Sequence, residues 1–379
     1  MASSRRIVID ARYLGASPSG IGNYVRALVS RLPRLAPDLQ FRVWVRRLAD
    51  VRQVTSNHIQ IHRVSASPNG AISMVAPWLL DRLGPLDVFH GTSNILGSGL
   101  PCRSIVTVHD VMWLNDLENC QPVAWRRPIS EAYFGNGIRR ALRKARKIIT
   151  VSHASARSIL QIEPSIEGKI VVTHNACEPC FRPPNDLRGA RRQAARILGF
   201  EDEYLMVVGQ NQPSKGHEVA LRAFAAAKVP NVRLVCVQRL RAGCGLLGLA
   251  RDLGVADRVS IVACYSQEDL ITTMQCATAL LQPSRSEGFG LPVLEAAACG
   301  CPVVASELSV FREVLKDAAL FAQVGDVAEW SRAIQQIVAD VQLRQQLRSS
   351  GRQQALNFSW DKTALDTLQV YRDVLDDLW

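Results

Sequence analysis

Short β-branched runs alternate with helical patterns along this chain, and the alternation stops once and then starts again. The first series contains these candidate strands: Ile7–Ala11, Phe41–Val45, Ile59–Val64, Val88–His90, Ser104–His109 and Ile148–Ser152. The second series contains Tyr204–Val208, Arg233–Val237, Arg258–Val262, Ala279–Gln282 and Pro302–Ala305. Strands that alternate with helices predict parallel sheets with helical crossovers. The pattern therefore indicates an α/β protein.

The helical patterns between these strands include Gly22–Leu35, Ile129–Ala145, Lys215–Lys228, Leu291–Cys299 and Asp326–Ala339. Between the two series, the segment Asn175–Asp186 is rich in proline, which interrupts regular structure and is typical of a linker. A chain of 379 residues is also too long for one ordinary core. We predict two similar domains, residues 1–185 and 186–359, and a last helix at 360–379 that packs on either domain, with the first as our choice.

Positive charge is concentrated in the first half of the chain. The whole chain has 45 basic and 34 acidic residues, and residues 1–185 contain 24 basic against 12 acidic ones. The excess is densest at Arg139–Lys147, a helix-compatible stretch. A basic face attracts phosphates, anionic lipid or nucleic acid, and the alternative is a merely solvated helix face.

The cysteines and apolar runs bear on the cellular compartment. Among ten cysteines, only Cys177-x-x-Cys180 and Cys299-x-Cys301 are close pairs, and a zinc site would need a second pair at ligand spacing. We expect reduced thiols. No apolar run approaches the roughly 18 residues that a membrane span requires, and Ile7–Ile9 is too short for a signal peptide. We therefore expect a cytosolic protein.

The strongest chemical signal is the segment Ser284–Glu295, which reads S-R-S-E-G-F-G-L-P-V-L-E. It follows an apolar strand and opens a helix with Pro292 in the first turn, where a missing N–H costs nothing. Its glycines let backbone amides approach a ligand at the positive end of the helix dipole. Glu287 in the loop and Glu295 in the helix can accept hydrogen bonds from different hydroxyls of one ligand. The alternative is a structural turn with two incidental glutamates.

This E-x7-E segment, followed by A-A-A-C-G-C-P-V-V-A-S, resembles the signature of the large retaining GT-B glycosyltransferase family of bacterial mannosyl and polysaccharide transferases (glycosyltransferase family 4 type). Further segments agree in the order that this family uses: Gly20–Val25 (G-I-G-N-Y-V), Thr107–Val111 (T-V-H-D-V) and Gly209–Gly216 (G-Q-N-Q-P-S-K-G). The resemblance implies a GT-B fold, in which two Rossmann-like domains face each other across a cleft. The first domain would bind the acceptor and the second the nucleotide sugar.

The resemblance also implies residue roles. Glu287 would contact hydroxyls of the donor sugar and Glu295 the ribose. Lys215 would neutralise the charge that develops on the leaving diphosphate. His109, at the end of a strand, would form a hydrogen bond with the donor sugar near the reacting carbon. The other donor-binding candidates are Gly20, Gly22, Ser214, Arg285, Gly288, Phe289, Gly290 and Leu291. Lys215 as a solvated lysine and His109 as a core or capping histidine are the structural alternatives.

Two further positions are less defined. His90 also ends a strand and is a candidate for the same cleft, and base contacts are expected near Cys264–Ser266. The chain departs from the family where relatives have an arginine close to the lysine, because Asn211 and Ser214 stand there instead. Arg285 or a basic group of the first domain is the candidate replacement.

No D-x-D occurs in the chain, so no evident carboxylate pair is available for Mg²⁺ or Mn²⁺, and we expect no cofactor and no metal requirement. The resemblance implies retention of configuration, with GDP-mannose as the favoured donor and UDP- or dTDP-sugars as alternatives. It implies a lipid-linked saccharide acceptor in bacterial surface polysaccharide synthesis.

The basic first domain fits an anionic acceptor at the inner face of the plasma membrane. We expect peripheral membrane contact, with partial insertion of a helix near Ile138–Lys147, and no nucleic-acid partner. The G-x-G at Gly20 and Gly22 lacks the third glycine of a dinucleotide site, which disfavours a dehydrogenase. The remaining rivals are a non-catalytic basic protein that binds membrane or nucleic acid, and a nucleotide-sugar epimerase of the same fold.

Overall fold

The computed structural model describes residues 6–15, 19–48, 59–84, 87–121, 123–238, 245–263 and 266–377. The chain divides into two compact units. The first domain comprises Met1–Asn175 and Ser359–Trp379, and the second comprises Ala176–Phe358. Each contains its own parallel sheet, so the prediction of two Rossmann-like α/β domains is confirmed.

The first domain is built on a seven-stranded sheet in the order β3-β2-β1-β4-β5-β6-β7. Its strands are β1 (Arg6–Asp10), β2 (Gln40–Val45), β3 (Ile59–Arg63), β4 (Val88–Gly91), β5 (Arg103–Val108), β6 (Lys147–Thr150) and β7 (Ile170–Val172). All neighbouring strands are parallel. The sequence did not predict β7, which has only three residues.

The helices of the first 175 residues are α1 (Gly20–Leu35), α2 (Ala71–Val75), α3 (Met112–Asn115), α4 (Leu117–Cys120), α5 (Arg127–Ser130), α6 (Asn136–Lys144) and α7 (His153–Ile162). Helix α1 begins because the Ser19 hydroxyl caps it by accepting a hydrogen bond from the amide of Gly22 at 3.0 Å. Its buried face places Tyr24, Leu28 and Leu32 one turn apart against the sheet.

The helix predicted over Ile129–Ala145 is confirmed as an uninterrupted helical stretch from Arg127 to Lys144, but its uniform α-helical geometry is wrong. The structure has α5, a π-helical turn at Glu131–Gly135 and then α6. Gly135 and Gly137 weaken the helix at this point, since glycine is a poor helix former. The apolar face of α6, with Ile138 and Leu142, is fully buried in the domain core. The proposed insertion of this helix into a membrane is therefore wrong as well, and only its basic face is exposed.

The second domain has a six-stranded parallel sheet in the order β10-β9-β8-β11-β12-β13. The strands are β8 (Glu203–Val208), β9 (Val232–Gln238), β10 (Val259–Ala263), β11 (Ala279–Gln282), β12 (Val303–Ser306) and β13 (Leu320–Ala322). The three-residue β13 was also missed from the sequence. The helices are α8 (Leu187–Leu198), α9 (His217–Ala227), α10 (Leu246–Asp252), α11 (Gln267–Cys276), α12 (Leu291–Cys299), α13 (Ser309–Leu315), α14 (Val327–Ala339) and α15 (Val341–Ala355).

The last helix, α16 (Trp360–Asp376), packs within the first domain. The Thr363 hydroxyl of this helix donates a hydrogen bond to the carbonyl of His174 at 2.5 Å. The Asp361 carboxylate accepts one from the Arg31 guanidinium at 2.8 Å. Its buried face also lies against α1 and β4. The chain therefore returns to the first domain after completing the second.

The structure divides the chain after Asn175 rather than after residue 185. The proline-rich segment belongs to the second domain because that domain supplies its contacts. Gln267 donates to the Cys180 sulfur at 3.2 Å, and Gln275 donates to the carbonyl of Arg182 at 2.6 Å. Prolines here thus rule out helix and strand without making the segment a free linker.

Candidate active site

In the second domain, the predicted residues gather at the carboxyl end of the adjacent strands β8 and β11. Parallel strands end at the same edge of their sheet, which is where open α/β sheets bind ligands. Gly209 follows β8, Pro283 follows β11, and a 3₁₀ turn at Pro213–Lys215 leads into α9.

The two loops pack directly on one another. Gly216 has a φ of +67°, and a Cβ at this position would lie 1.9 Å from the carbonyl oxygen of Pro283. Only glycine fits there, for both reasons. Beside this contact, the backbone amide of Arg285 donates to the carbonyl of Ser214 at 2.8 Å. Ser214 is buried, so its part in the site is to join the loops through its backbone.

This packing brings Lys215 onto Glu287. The ammonium of Lys215 donates to Oε1 of Glu287 at 2.7 Å, and the hydroxyl of Ser284 donates to the same oxygen at 2.8 Å. The Glu287 side chain is 9% exposed and that of Lys215 27%, so the pair lies at the surface edge of the sheet rather than in the core. The sequence interpretation had assigned the two groups to different parts of one ligand, and the structure brings them together.

Helix α12 begins beside this pair. Gly290 caps it with a φ of +90°, and a Cβ there would lie 2.5 Å from a ring carbon of Phe311. The first amides of a helix have no partner within the helix and carry its positive dipole end. Gly288 is half-buried next to this terminus, whereas the side chains of Phe289 and Leu291 are buried in the domain. Phe289 and Leu291 can therefore serve a ligand only through their backbone.

Glu295 is buried in α12, and burial raises the pKa of its carboxyl to about 7. Within the described part of the chain, no side chain or backbone group donates a hydrogen bond to it. Its neighbours include the thiols of Cys177 and Cys299. The carboxyl is therefore free to accept a hydrogen bond from a ligand hydroxyl, at the cost of desolvated charge.

Arg285 does not join the Lys215–Glu287 pair. Its side chain is exposed, and its guanidinium lies 3.7 Å from the point where Gly325 would carry a Cβ. It forms no ion pair with any residue that the structure describes. Of the segment predicted to hold a base, residues 264 and 265 lie outside the described residues. Ser266 is the N-cap of α11, and its hydroxyl accepts the amide of Asp269 at 3.1 Å.

In the first domain, His109 lies just beyond β5 and is buried. Its Nε2 lies 2.9 Å from the carbonyl oxygen of Thr92, and its amide donates to the Asn94 side chain at 2.8 Å. A carbonyl only accepts, so Nε2 carries the proton and Nδ1 the lone pair. Burial lowers the pKa of His109 to about 4, which keeps the ring neutral. His109 can thus accept a hydrogen bond through Nδ1.

His90 is a core residue, and its assignment to a ligand cleft is wrong. It is 0% exposed, and both ring nitrogens are engaged, with the Tyr371 hydroxyl and the Thr107 hydroxyl each at 2.7 Å. Thr107 in turn contacts the Tyr24 hydroxyl at 2.8 Å. Burial lowers the pKa of His90 to about 3. This buried network joins α16, β4, β5 and α1.

Gly20 and Gly22 lie at the N-terminus of α1 in the first domain. Gly20 is exposed, and Gly22 is buried, where a Cβ would lie 2.8 Å from the Ser19 hydroxyl. Gly22 therefore serves the capping turn. The amides of this terminus remain candidates for binding an anion.

Sequence reasoning missed Gln282 and His217. Gln282 Nε2 donates to the Ser284 hydroxyl at 2.9 Å, behind the Lys215–Glu287 pair. His217 is buried beside Gly209, and burial lowers its pKa to about 4. The available signal for Gln282 was its place as the one polar residue of the strand A-L-L-Q.

Part of the second domain matches a known protein family. Residues 191–354, which lie within the second domain, match the family model described as glycosyl transferases group 1. The D-inositol 3-phosphate glycosyltransferase of Mycobacterium leprae (strain Br4923) is 33% identical over 251 residues, which are 64% of this chain and 58% of that protein. Its counterpart in Mycobacterium tuberculosis (strain ATCC 25177 / H37Ra) is 31% identical over 251 residues, 64% of this chain and 51% of that protein. The chain spans a little over half the length of these relatives.

Solved structures resemble the whole chain. Sucrose-phosphate synthase of Thermosynechococcus elongatus has a TM-score of 0.76 at 20% identity, with 98% of this chain and 100% of that one covered. Anabaena HepE in complex with UDP and glucose has a TM-score of 0.74 at 17% sequence identity, with 97% of this chain and 100% of that one covered. WaaG, a glycosyltransferase involved in lipopolysaccharide biosynthesis, has a TM-score of 0.74 at 15% sequence identity, with 96% of this chain and 99% of that one covered. At these identities the likeness establishes the fold, and it matches the two parallel-sheet domains of GT-B glycosyltransferases.

Proposed function

We propose that this protein is a retaining glycosyltransferase that takes its sugar from a nucleoside diphosphate donor and needs no metal ion. The observation that carries the proposal is the Lys215–Glu287 pair, 2.7 Å apart beside the N-terminus of α12. A cation, a carboxylate and helix amides at one sheet edge match a ligand that has both phosphates and hydroxyls. The glycosyl transferases group 1 match over residues 191–354 supports the same reading.

Lys215 has enough hydrogen-bond donors to contact both Glu287 and a diphosphate. An ammonium has three N–H donors, and Glu287 takes one of them. The others are available to a diphosphate, where a fixed positive charge stabilises the leaving group as the bond to the sugar breaks. Glu287 in turn accepts a hydrogen bond from a hydroxyl of the sugar, and the Glu295 carboxyl accepts hydrogen bonds from ribose hydroxyls.

The reaction uses no carboxylate nucleophile. The bond between the anomeric carbon and the phosphate oxygen breaks, and the acceptor oxygen bonds to that carbon on the same face. The proton of the acceptor hydroxyl passes to the leaving phosphate oxygen. His109 supports the sugar by accepting a hydrogen bond at Nδ1, since its Nε2 proton is held by the Thr92 carbonyl.

GDP-mannose is our first choice of donor, and a UDP-sugar is the principal alternative, which the UDP and glucose bound by HepE of Anabaena support. We propose an anionic acceptor: a lipid-linked saccharide at the cytoplasmic face of the membrane. The mycobacterial relatives, named for D-inositol 3-phosphate, support a phosphorylated polyol as the alternative. The basic excess of the first domain suits either one.

Peripheral membrane contact belongs to the same proposal. No helix in the described residues has the length and hydropathy to cross a bilayer. Exposed apolar side chains nevertheless accompany arginines in the first domain: Trp125 is 68% exposed with the Arg126 guanidinium 4.8 Å from its ring centre, and Ile129 is 64% exposed one turn later. Tryptophan and arginine together suit a membrane interface. This segment, rather than α6, is our proposed contact.

Calorimetric titration of GDP, UDP, dTDP and ADP without metal tests the donor site. We expect one nucleotide to bind, and Glu295→Ala to weaken that binding by about 1–3 kcal/mol through the loss of hydrogen bonds to a carboxylate. Failure of all four nucleotides to bind would exclude the glycosyltransferase and favour the non-catalytic basic protein. Conversion of the nucleotide sugar without any acceptor would instead identify an epimerase.

A further inference from the structure

Gln282 is the last residue of β11 and is buried, with 1% of its surface exposed. The other residues of that strand, Ala279, Leu280 and Leu281, are apolar. A buried amide is unfavourable unless its polar atoms are hydrogen-bonded. The carboxamide oxygen Oε1 has no partner among the residues that the structure describes. Gln282 is therefore poorly explained as a packing residue.

The amide nitrogen of Gln282, in contrast, points to the Lys215–Glu287 pair. It donates to the Ser284 hydroxyl at 2.9 Å and to Oε1 of Glu287 at 3.4 Å. Since a carboxylate oxygen only accepts, the nitrogen must be the atom on that side. The Ser284 hydroxyl donates its own hydrogen bond to Oε1 of Glu287 at 2.8 Å.

Donors from Lys215, Ser284 and Gln282 therefore converge on one oxygen of Glu287. Its other oxygen, Oε2, receives no hydrogen bond from the described residues. Convergence on Oε1 fixes the rotation of the carboxylate and leaves Oε2 as the atom that faces a ligand. A group held from several directions is preorganised, which favours a single binding geometry.

We propose that Gln282 is a positioning residue that orients Glu287, through Ser284 and directly, so that Oε2 reads one hydroxyl of the donor sugar. The inference rests on the proposed function, because it names how that donor site selects the sugar. Gln282 touches no substrate. Its effect is confined to the sugar half of the ligand, since its contacts lead to Glu287 and not to Glu295.

The test compares a nucleotide with the same nucleotide carrying a sugar. Binding of GDP, UDP, GDP-mannose and UDP-glucose is measured by calorimetry for wild type and for Gln282→Met, which keeps the length of the side chain and removes the amide. Ser306→Ala is the matched control: Ser306 ends the neighbouring strand β12, is fully buried, and its hydroxyl has no partner within the described residues.

In Gln282→Met we expect the Kd of the nucleotide sugar to rise about tenfold, as for one hydrogen bond to a charged group, and the Kd of the bare nucleotide to change less than twofold. Gln282→Glu should weaken sugar binding further, because an acceptor then faces Glu287. Ser306→Ala should leave both Kd values unchanged.

Equal weakening of nucleotide and nucleotide sugar would overturn the inference, because it would assign Gln282 a merely structural role. Unchanged binding of both would overturn it as well. Binding of neither nucleotide nor nucleotide sugar to the wild type would instead remove the proposed function, and the inference with it.

Discussion

The carboxyl edges of the two sheets hold different chemistry. In the second domain the edge carries charge, with Lys215 and Glu287 paired at 2.7 Å and Glu295 buried without a donor among the described residues. In the first domain it carries His109, which is kept neutral by burial and whose ring is held by the Thr92 carbonyl. The charged edge suits diphosphate and hydroxyl binding, and the neutral edge suits positioning without electrostatic cost.

The difference shows that a histidine at a strand end is not by itself a ligand residue. His90 and His109 lie on neighbouring strands, yet both nitrogens of His90 are used inside the core, whereas His109 keeps Nδ1 without a partner in the described chain. What separates a core histidine from a site histidine is its remaining hydrogen-bonding capacity.

The largest effect should come from Lys215→Met, which removes the ammonium and keeps the stem. We expect the turnover rate of the bound nucleotide sugar to fall about 10²- to 10³-fold, the usual loss for one fixed group that stabilises developing charge. The measurement is the initial rate of nucleoside diphosphate release. Arg222→Met breaks the exposed pair with Glu218, 2.8 Å apart, and should leave the rate within about twofold. Equal effects of the two variants would contradict the role of Lys215.

The two histidines should separate activity from stability. His109→Gln should lower the turnover rate roughly 10- to 100-fold, as expected for a misplaced hydrogen bond, with little change in the free energy of unfolding. His90→Leu should lower that free energy by about 2–4 kcal/mol, because it leaves the Tyr371 hydroxyl unpaired in the core and removes one of the two partners of the Thr107 hydroxyl. Rates and urea unfolding of both variants check this. A rate loss in folded His90→Leu as large as that in His109→Gln would return His90 to the site.

The buried carboxyl of the second domain should make nucleotide binding pH-dependent. Burial raises the pKa of Glu295 to about 7, so a larger fraction is ionised, and accepts ribose hydroxyls better, as the pH rises. We expect affinity for the nucleotide to increase roughly tenfold between about pH 6 and pH 8. Titrations across this range should show no such increase in Glu295→Gln. A persisting increase in that variant would assign the pH dependence to another group.

The same group should give the stability of the protein an opposite slope. The native pKa of Glu295, about 7, lies above the value of 4.5 for a free glutamate, so the native state binds more protons between these values. The free energy of unfolding contributed by this group therefore falls as the pH rises, by up to about 3 kcal/mol. Glu295→Gln should gain stability over wild type at pH 8 and not at pH 4. The exposed Asp252→Asn should show no such gain in urea unfolding.

The smallest effect concerns the membrane contact proposed for the first domain. Trp125→Ser with Ile129→Ser should lower binding to vesicles with anionic lipid about fivefold, since two exposed apolar side chains no longer partition into the interface. Leu356→Ser, in the second domain and 77% exposed, is the matched control. Cosedimentation with anionic and with neutral vesicles measures both. Equal loss in the control variant would remove the first domain as the membrane contact.

Sequence patterns were sufficient to predict the two α/β domains and the residue types at the carboxyl edge of the second domain's sheet. Each of the predicted strands became a strand, and the segment Ser284–Glu295 became a loop and a helix start, because local pattern and turn chemistry act over a few residues. The three-residue strands β7 and β13 and the π turn within 131–135 escaped prediction, because they depend on the neighbours that complete them.

Which side chains come into contact depends on the tertiary structure. Lys215 and Glu287 are 72 positions apart in the chain, and they touch because β8 and β11 are adjacent strands and Gly216 lets their loops pack on one another. In the first domain, the pairing of β4 with β5 brings the Thr107 hydroxyl onto the His90 ring and engages His90 in the core instead of the site. Hydrogen bonds act over about 3 Å, and distances of that size between remote residues are set by strand order and packing, which no local pattern encodes.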